Sequence, residues 1–192
     1  SIYTTNGSRP FFNLKNLENQ IGSSTFTKQE RIDFSKSIVK NIDIWKVKLI
    51  IMSCRWENLT PKDKVNFEYM IEYFKKRNIN FLVINQPPHI SIMGDNNASQ
   101  FISYLKISPV KGYNTILLNQ DEIIKSNSYL TQIVNKNDNM VEFDVFNRLY
   151  KNDKAKITYN KDVLYFDDDH LSSKGTELFK LDLKNHIKEC LK

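Results

Sequence analysis

Residues 47–53 read VKLIIMS and residues 80–85 read NFLVIN. Each is a short apolar run closed by a polar residue. A strand with one wet face alternates apolar and polar side chains. A nearly unbroken apolar run suits a parallel strand covered on both faces. Residues 140–145 (MVEFDV) supply a third strand late in the chain. Between the first two runs, Thr60-Pro61 opens a helix with proline at its first position. Val65, Tyr69, Ile71, Tyr73 and Phe74 give that helix apolar surface, and Asn78 ends it. Upstream, Thr27 can cap a helix over residues 28–41, with Ile32, Ile38, Val39 and Ile42 on a loose apolar face. Residues 116–134 read as one or two helices, and Ser172 or Ser173 can cap a last helix running to about residue 191. Strands alternating with helices predict a three-layer α/β/α sandwich around a mainly parallel sheet.

The remaining stretches are less regular. Residues 1–5 (SIYTT) read as a strand broken by Asn6-Gly7-Ser8, residues 11–27 as a loop and residues 152–159 as a polar connection. Residues 93–111 contain the loop Gly94-Asp95-Asn96-Asn97. No repeat or linker divides the chain, so residues 1–192 read as one domain.

Composition narrows the function classes. The chain has 192 residues, of which 40% are hydrophobic and 26% charged, enough apolar content for a packed core rather than disorder. Five Gly and five Pro exclude collagen-like and low-complexity chains, and two Cys cannot form a disulfide scaffold. The formal net charge is +6. The densest basic run, Lys75-Lys76-Arg77, falls at a helix end, where cations complement the macrodipole. No clustered basic face or aromatic stacking platform is legible, so no nucleic-acid partner is expected. No apolar run approaches the ~20 residues of a membrane span.

Sites on parallel sheets lie beyond the C-terminal strand ends. That rule selects Gly7 and residues 53–56, 85–89 and 167–170. The sharpest chemistry is in the last of these, Tyr165-Phe166-Asp167-Asp168-Asp169-His170-Leu171-Ser172, followed by Gly175. Asp167 and His170 are spaced to bring a carboxylate to the imidazole Nδ1–H. The Asp then fixes the tautomer, and Nε2 is left to act as a general base toward a hydroxyl. The same residues also read as an acidic loop with a histidine beside a helix cap. Three Asp in a row also suggest a cation site, although no EF-hand spacing follows. Three His without paired spacing argue against zinc, and no metal or other cofactor is expected. His89 reads as a loop residue and His186 as an exposed helix residue.

The pattern D-x-x-H-L-S-x-x-G, between a final strand and a C-terminal helix, resembles the last block of the SGNH/GDSL hydrolase superfamily. It is most similar to the SGNH domain at the C-terminus of acyltransferase-3 proteins, which O-acetylate cell-surface polysaccharides. Residues 49–56 (LIIMSCRW) resemble that subfamily's strand ending in Arg-Trp, and residues 141–150 with 164–171 resemble its closing segment. The resemblance implies that Asp167 and His170 are the acid and base of a Ser-His-Asp triad. It places Arg55, Trp56 and Gly7 at oxyanion or substrate-binding positions, Trp56 either packing or lining the pocket. It implies a carbohydrate or acyl-ester substrate, a membrane acyltransferase domain as partner, and an extracytoplasmic location.

The departures are specific. The family nucleophile sits in Gly-Asp-Ser after the first strand, and here Gly94-Asp95 is followed by Asn96. With residues 1–5 as the second strand, the first strand and nucleophile elbow lie upstream of Ser1, and the chain is a C-terminal portion of a longer protein. Ser53 and Cys54 are the internal alternatives, but Cys54-Arg55-Trp56 lacks the small neighbours a nucleophile elbow uses. Many relatives carry a Cys pair where Tyr150 and Ala155 stand. An esterase of the same fold and a degenerate polysaccharide-binding domain are the rival readings.

Overall fold

The computed structural model describes residues 10–11, 13–15, 27–90, 113–114 and 120–192. Its elements run α1 (Lys28–Trp45), β1 (Leu49–Ser53), α2 (Pro61–Lys75), β2 (Asn80–Ile84), β3 (Tyr113–Asn114), α3 (Asp121–Lys136) and β4 (Met140–Phe143). There follow α4 (Phe146–Leu149), β5 (Tyr150–Lys151), β6 (Lys154–Lys156), β7 (Thr158–Tyr159), β8 (Asp162–Val163), α5 (Ser173–Glu177) and α6 (Lys180–Cys190).

The three apolar runs form one parallel sheet in the order β1-β2-β4, with Leu49 beside Asn80 and Phe81 beside Met140. Successive side chains of a strand point to opposite faces. Phe81 and Val83 accordingly enter a core with Phe67, Met70, Ile71 and Phe74 of α2, Ile42 of α1, and Leu130 and Ile133 of α3. Leu82 enters a second core with Phe143, Leu164, Tyr165 and Phe179, against which Leu183 and Ile187 of α6 pack. Central β2 is thus apolar on both sides because helices cover both sides. This is the expected α/β/α layering.

Local chemistry starts the helices where the sequence indicates. Thr27 and Glu30 form a reciprocal capping box on α1, and Thr60 and Asp63 form one on α2. Each box satisfies two otherwise orphaned backbone donors.

One open alternative closes and two expectations change. Residues 121–136 are one continuous helix. The stretch read as a polar connection folds into two small hairpins, β5–β6 and β7–β8. Their turns place Asn152, Asp153, Asn160 and Lys161 at positive φ, the left-handed geometry that two-residue hairpin turns require. Ala155 and Ile157 between them are buried, which makes this segment part of the second core. The last helix is broken into α5 and α6, and near the break Phe179 packs edge-on against Phe143. Residues 1–9, with the strand read at 1–5 and with Gly7, lie outside the described residues, as do residues 93–111. No helix among the described residues is long and apolar enough to cross a membrane.

Candidate active site

All three sheet strands are parallel, so their C-terminal ends open on one edge. There β1 passes into residues 54–57, and β2 passes into residues 85–90. Buried Asn85 closes off the far side of this edge. Its Oδ1 accepts the backbone N–H of Val145 (2.7 Å) and Phe146 (3.0 Å). Its Nδ2 donates to Glu142 Oε1 and Asp144 Oδ1, both at 2.9 Å. Burial pushes the Glu142 carboxyl up, against hydrogen bonds from Thr131 and Asn85 that pull it down. The loop after β2 is therefore tied to the loop after β4.

The segment around His170 docks onto the same edge. Tyr165, buried in the second core, donates its hydroxyl to the Pro88 carbonyl (3.0 Å). The Ile90 N–H donates to the Asp168 carbonyl (2.9 Å), and the Phe166 N–H to the His170 carbonyl (2.8 Å). Ser172 caps α5 through the Gly175 N–H and sends its own hydroxyl to the Val163 carbonyl (2.7 Å). Gly175 lies so close to this turn that a Cβ there would stand 2.1 Å from the Leu164 carbonyl oxygen. The Ser and Gly of the D-x-x-H-L-S-x-x-G pattern are thus the fastening of the turn.

Within the turn, Asp167 Oδ1 accepts the backbone N–H of His170 (2.7 Å) and Asp169 (3.1 Å). Its carboxylate also meets the imidazole, with Oδ2 2.8 Å and Oδ1 3.0 Å from His170 Nδ1. Burial raises the Asp167 carboxyl, but the two backbone N–H groups and the imidazole outweigh it and hold the group below its ordinary value. The His170 side chain is 71% exposed. With Nδ1 pinned by carboxylate, Nε2 is the ring nitrogen left for chemistry.

A second carboxylate meets the same nitrogen. Asp169 Oδ1 lies 2.8 Å from His170 Nδ1, and its side chain is only 7% exposed. Its other oxygen takes Arg55, which donates from Nε at 2.7 Å and also from a terminal nitrogen. Arg55 Nε lies 3.4 Å from Glu57 Oε1 as well. Burial opposes the guanidinium charge, but Asp169, Glu57 and Asp168 together hold its pKa above the usual arginine value.

Behind Asp169, Gln86 accepts the backbone N–H of Trp56 (2.7 Å) and Glu57 (3.1 Å) on Oε1. Its Nε2 therefore points at Glu57 Oε2 (3.1 Å) and His89 Nε2 (2.8 Å). An amide N–H facing a ring nitrogen needs a lone pair there, which places the His89 proton on Nδ1. His89 is held further by Gln120, whose amide bonds both its N–H (3.0 Å) and its carbonyl (2.9 Å).

Of the positions expected from sequence, Arg55, Asp167 and His170 are brought together, with Asp169 between Arg55 and the imidazole. Trp56 is not on the open side. It is fully buried, donates Nε1–H to the Ile84 carbonyl (2.8 Å) and packs on Phe11 and Phe67. Of its two expected roles, the structure shows the packing one. Gly7 lies outside the described residues. Glu57 was not selected by sequence, and Asp169 and Gln86 only as members of the strand-end groups 167–170 and 85–89. Asp169 was visible only as one of three like residues, and nothing in its spacing distinguished it.

Asp167, Asp169 and His170 also place three possible ligand atoms within 4.8 Å of one another. The donor set is already committed, however. Nδ1 donates to Asp167 and also lies within ion-pair distance of Asp169, and Asp169 carries Arg55. A cation bound there would have to displace a proton and a guanidinium.

A parallel α/β/α sheet with an Asp-x-x-His turn at its C-terminal edge defines a domain of the SGNH type. The chain belongs to the family of SGNH domains fused to AT3 domains, whose model matches residues 1–183. No curated protein sequence matches the chain. Among solved structures it is similar to the periplasmic domain of a lipopolysaccharide acetyltransferase from Salmonella ser. Paratyphi A, with a TM-score of 0.61 and 19% identity. The match covers 83% of this chain and 64% of that one, so this chain spans less than two thirds of its neighbour. At that identity the likeness concerns the fold.

Proposed function

We propose that this SGNH domain works in an O-acyltransferase that acetylates a surface polysaccharide, with His170 as general base and Asp167 as its orienter. The observation that carries this is the Asp167–His170 pair, with Nδ1 bound to carboxylate and the ring open to solvent. Support comes from the family's fusion to AT3 domains and from the periplasmic acetyltransferase domain of like fold. On this reading a membrane acyltransferase domain delivers acyl groups to the extracytoplasmic side.

In the first step a serine hydroxyl attacks the acyl carbonyl while His170 Nε2 takes its proton. The resulting imidazolium is stabilised by Asp167, and the tetrahedral intermediate collapses as that proton passes to the leaving group. In the second step a sugar hydroxyl gives its proton to Nε2 and attacks the acyl-serine. The collapse frees the serine, which recovers the proton. Arg55 places positive charge beside the imidazole, where it can stabilise an oxyanion, and the Gly7 N–H is a second candidate donor. The serine is assigned to sequence upstream of Ser1, since no Gly-Asp-Ser occurs in the chain.

A fluorophosphonate probe followed by peptide mapping tests this. The 192-residue chain should stay unlabelled. A version extended upstream should be labelled on one serine, and His170→Ala in the extended version should abolish the label. Labelling of a serine such as Ser53 in the short chain would overturn the upstream assignment. Folded extended protein without any label would overturn the acyl-enzyme reading. Supplying an acetyl donor with and without polysaccharide separates transfer from hydrolysis by whether acetyl appears on the sugar or as free acetate.

A further inference from the structure

We propose that Asp169 is a second positioning residue for His170, holding Nδ1 jointly with Asp167 and linking the imidazole to Arg55. The two carboxylates approach the same nitrogen at the same distance, 2.8 Å. They are not equivalent. Asp167 is half-exposed and anchored by backbone N–H groups of its own turn. The Asp169 side chain is almost fully buried and is anchored from another part of the fold, by Arg55 beyond β1.

The difference divides the work. An acceptor fixed only by its own turn moves when that turn moves. An acceptor held from the sheet edge keeps the imidazole in register with the rest of the site. Asp169 spends one oxygen on the guanidinium and one on the imidazole, so displacing Arg55 also releases its grip on His170. Among the described residues, the charged and titratable groups facing this pair are few. Asp167 faces the ring directly, and Arg55, Glu57 and His89 stand around Asp169, with His89 Nε2 3.8 Å from Oδ2. Asp168 acts on Arg55 from the same turn.

The inference rests on His170 being the base, and its test reads the ring itself rather than turnover. Long-range proton–nitrogen correlation spectra report which ring nitrogen of each of the three His carries the proton. In the native chain, the neutral His170 ring should show the Nδ1–H tautomer. Asp167→Asn alone should retain a substantial share of it, because the Asp169 carboxylate still stands 2.8 Å from Nδ1 and favours a proton there. The double change Asp167→Asn with Asp169→Asn should lose it. Arg55→Gln should move the His170 nitrogen signals when Asp169 is present and leave them unmoved when residue 169 is Asn. Complete loss of the tautomer in Asp167→Asn alone, or no response to Arg55→Gln, would overturn the proposal. Arg55→Gln keeps Asp169 in place, so it tests the link even if the Asn variants fold poorly. In the extended enzyme, Asp169→Asn should lower kcat with little change in KM, as loss of transition-state positioning does. An unlabelled extended enzyme with the expected tautomers would sink the acyl-transfer reading and leave the positioning role standing.

Discussion

His170 shows how one side chain acquires a role from its neighbours. An exposed imidazole is ordinarily free to choose either tautomer, and here the Asp167 carboxylate, with Asp169 beside it, chooses for it. Gly175 contributes without any functional group. Its value is the missing Cβ, because the Leu164 carbonyl occupies that space. Gly175→Ala should therefore destabilise the domain by about 3 kcal/mol, at the upper end of overpacking costs, since backbone cannot yield as a side-chain tip does. Urea unfolding of the two proteins measures it. A difference below about 1 kcal/mol would show that the turn tolerates a Cβ and is not fastened by close approach. Such a Gly was readable in the sequence as part of a pattern, but its reason was not. The reason is a contact with residue 164 across the turn.

At the scale of elements, the site depends on loops tied to one another rather than on any one loop. The loop after β2 is bonded to the start of α4 through Asn85, to α3 through Gln86 and Asn127, and to the His170 turn through Pro88 and Ile90. The Asn85 side chain is fully committed, with two donor and two acceptor contacts. Asn85→Ala strands the Val145 and Phe146 N–H groups in a buried place, at about 1–3 kcal/mol for each unsatisfied group. Asn85→Asp should not rescue it. Asp keeps both acceptor bonds but turns two donor contacts into repulsion with Glu142 and Asp144. Chemical denaturation should rank native above both variants, and a stable Asp variant would show that the donor half of the latch is idle. The sequence rule for strand ends selected residues 85–89 as a group. It could not separate the structural Asn85 from Gln86 and His89, because that distinction depends on hydrogen-bond partners 29 to 61 positions away.

For the whole molecule, stability toward acid is where site and fold meet. The Asp167 carboxyl is depressed, so it stabilises the folded state above the ordinary Asp value of about 3.9, and that contribution is lost as pH falls through its lower folded value. Glu142 has the opposite sign. Its raised carboxyl favours the folded state in acid and loses that advantage as pH rises. Asp167→Asn keeps an oxygen for the two backbone N–H groups, removes the charge and replaces the Oδ2 that faces His170 Nδ1 by an amide N–H. The gap in melting temperature between native protein and this variant should be widest near neutral pH and close toward pH 2. A gap that stays constant with pH would mean that the charge contributes nothing to folding.

The sequence by itself determined the alternation of helix and parallel strand, the capped starts of α1 and α2, and the Asp167–His170 pair. All of these are written in local terms: apolar runs, a Thr three residues before an acid, and a spacing of three within one turn. Tertiary structure alone decided that Asp169, among three adjacent aspartates, turns inward to meet Arg55. It also decided that Trp56 packs while its neighbour Arg55 faces the site, and that residues 152–159 form hairpins closing a core. Each of these outcomes depends on a partner brought near by the sheet, and identical residues in adjacent positions carry no local mark of which one will find it.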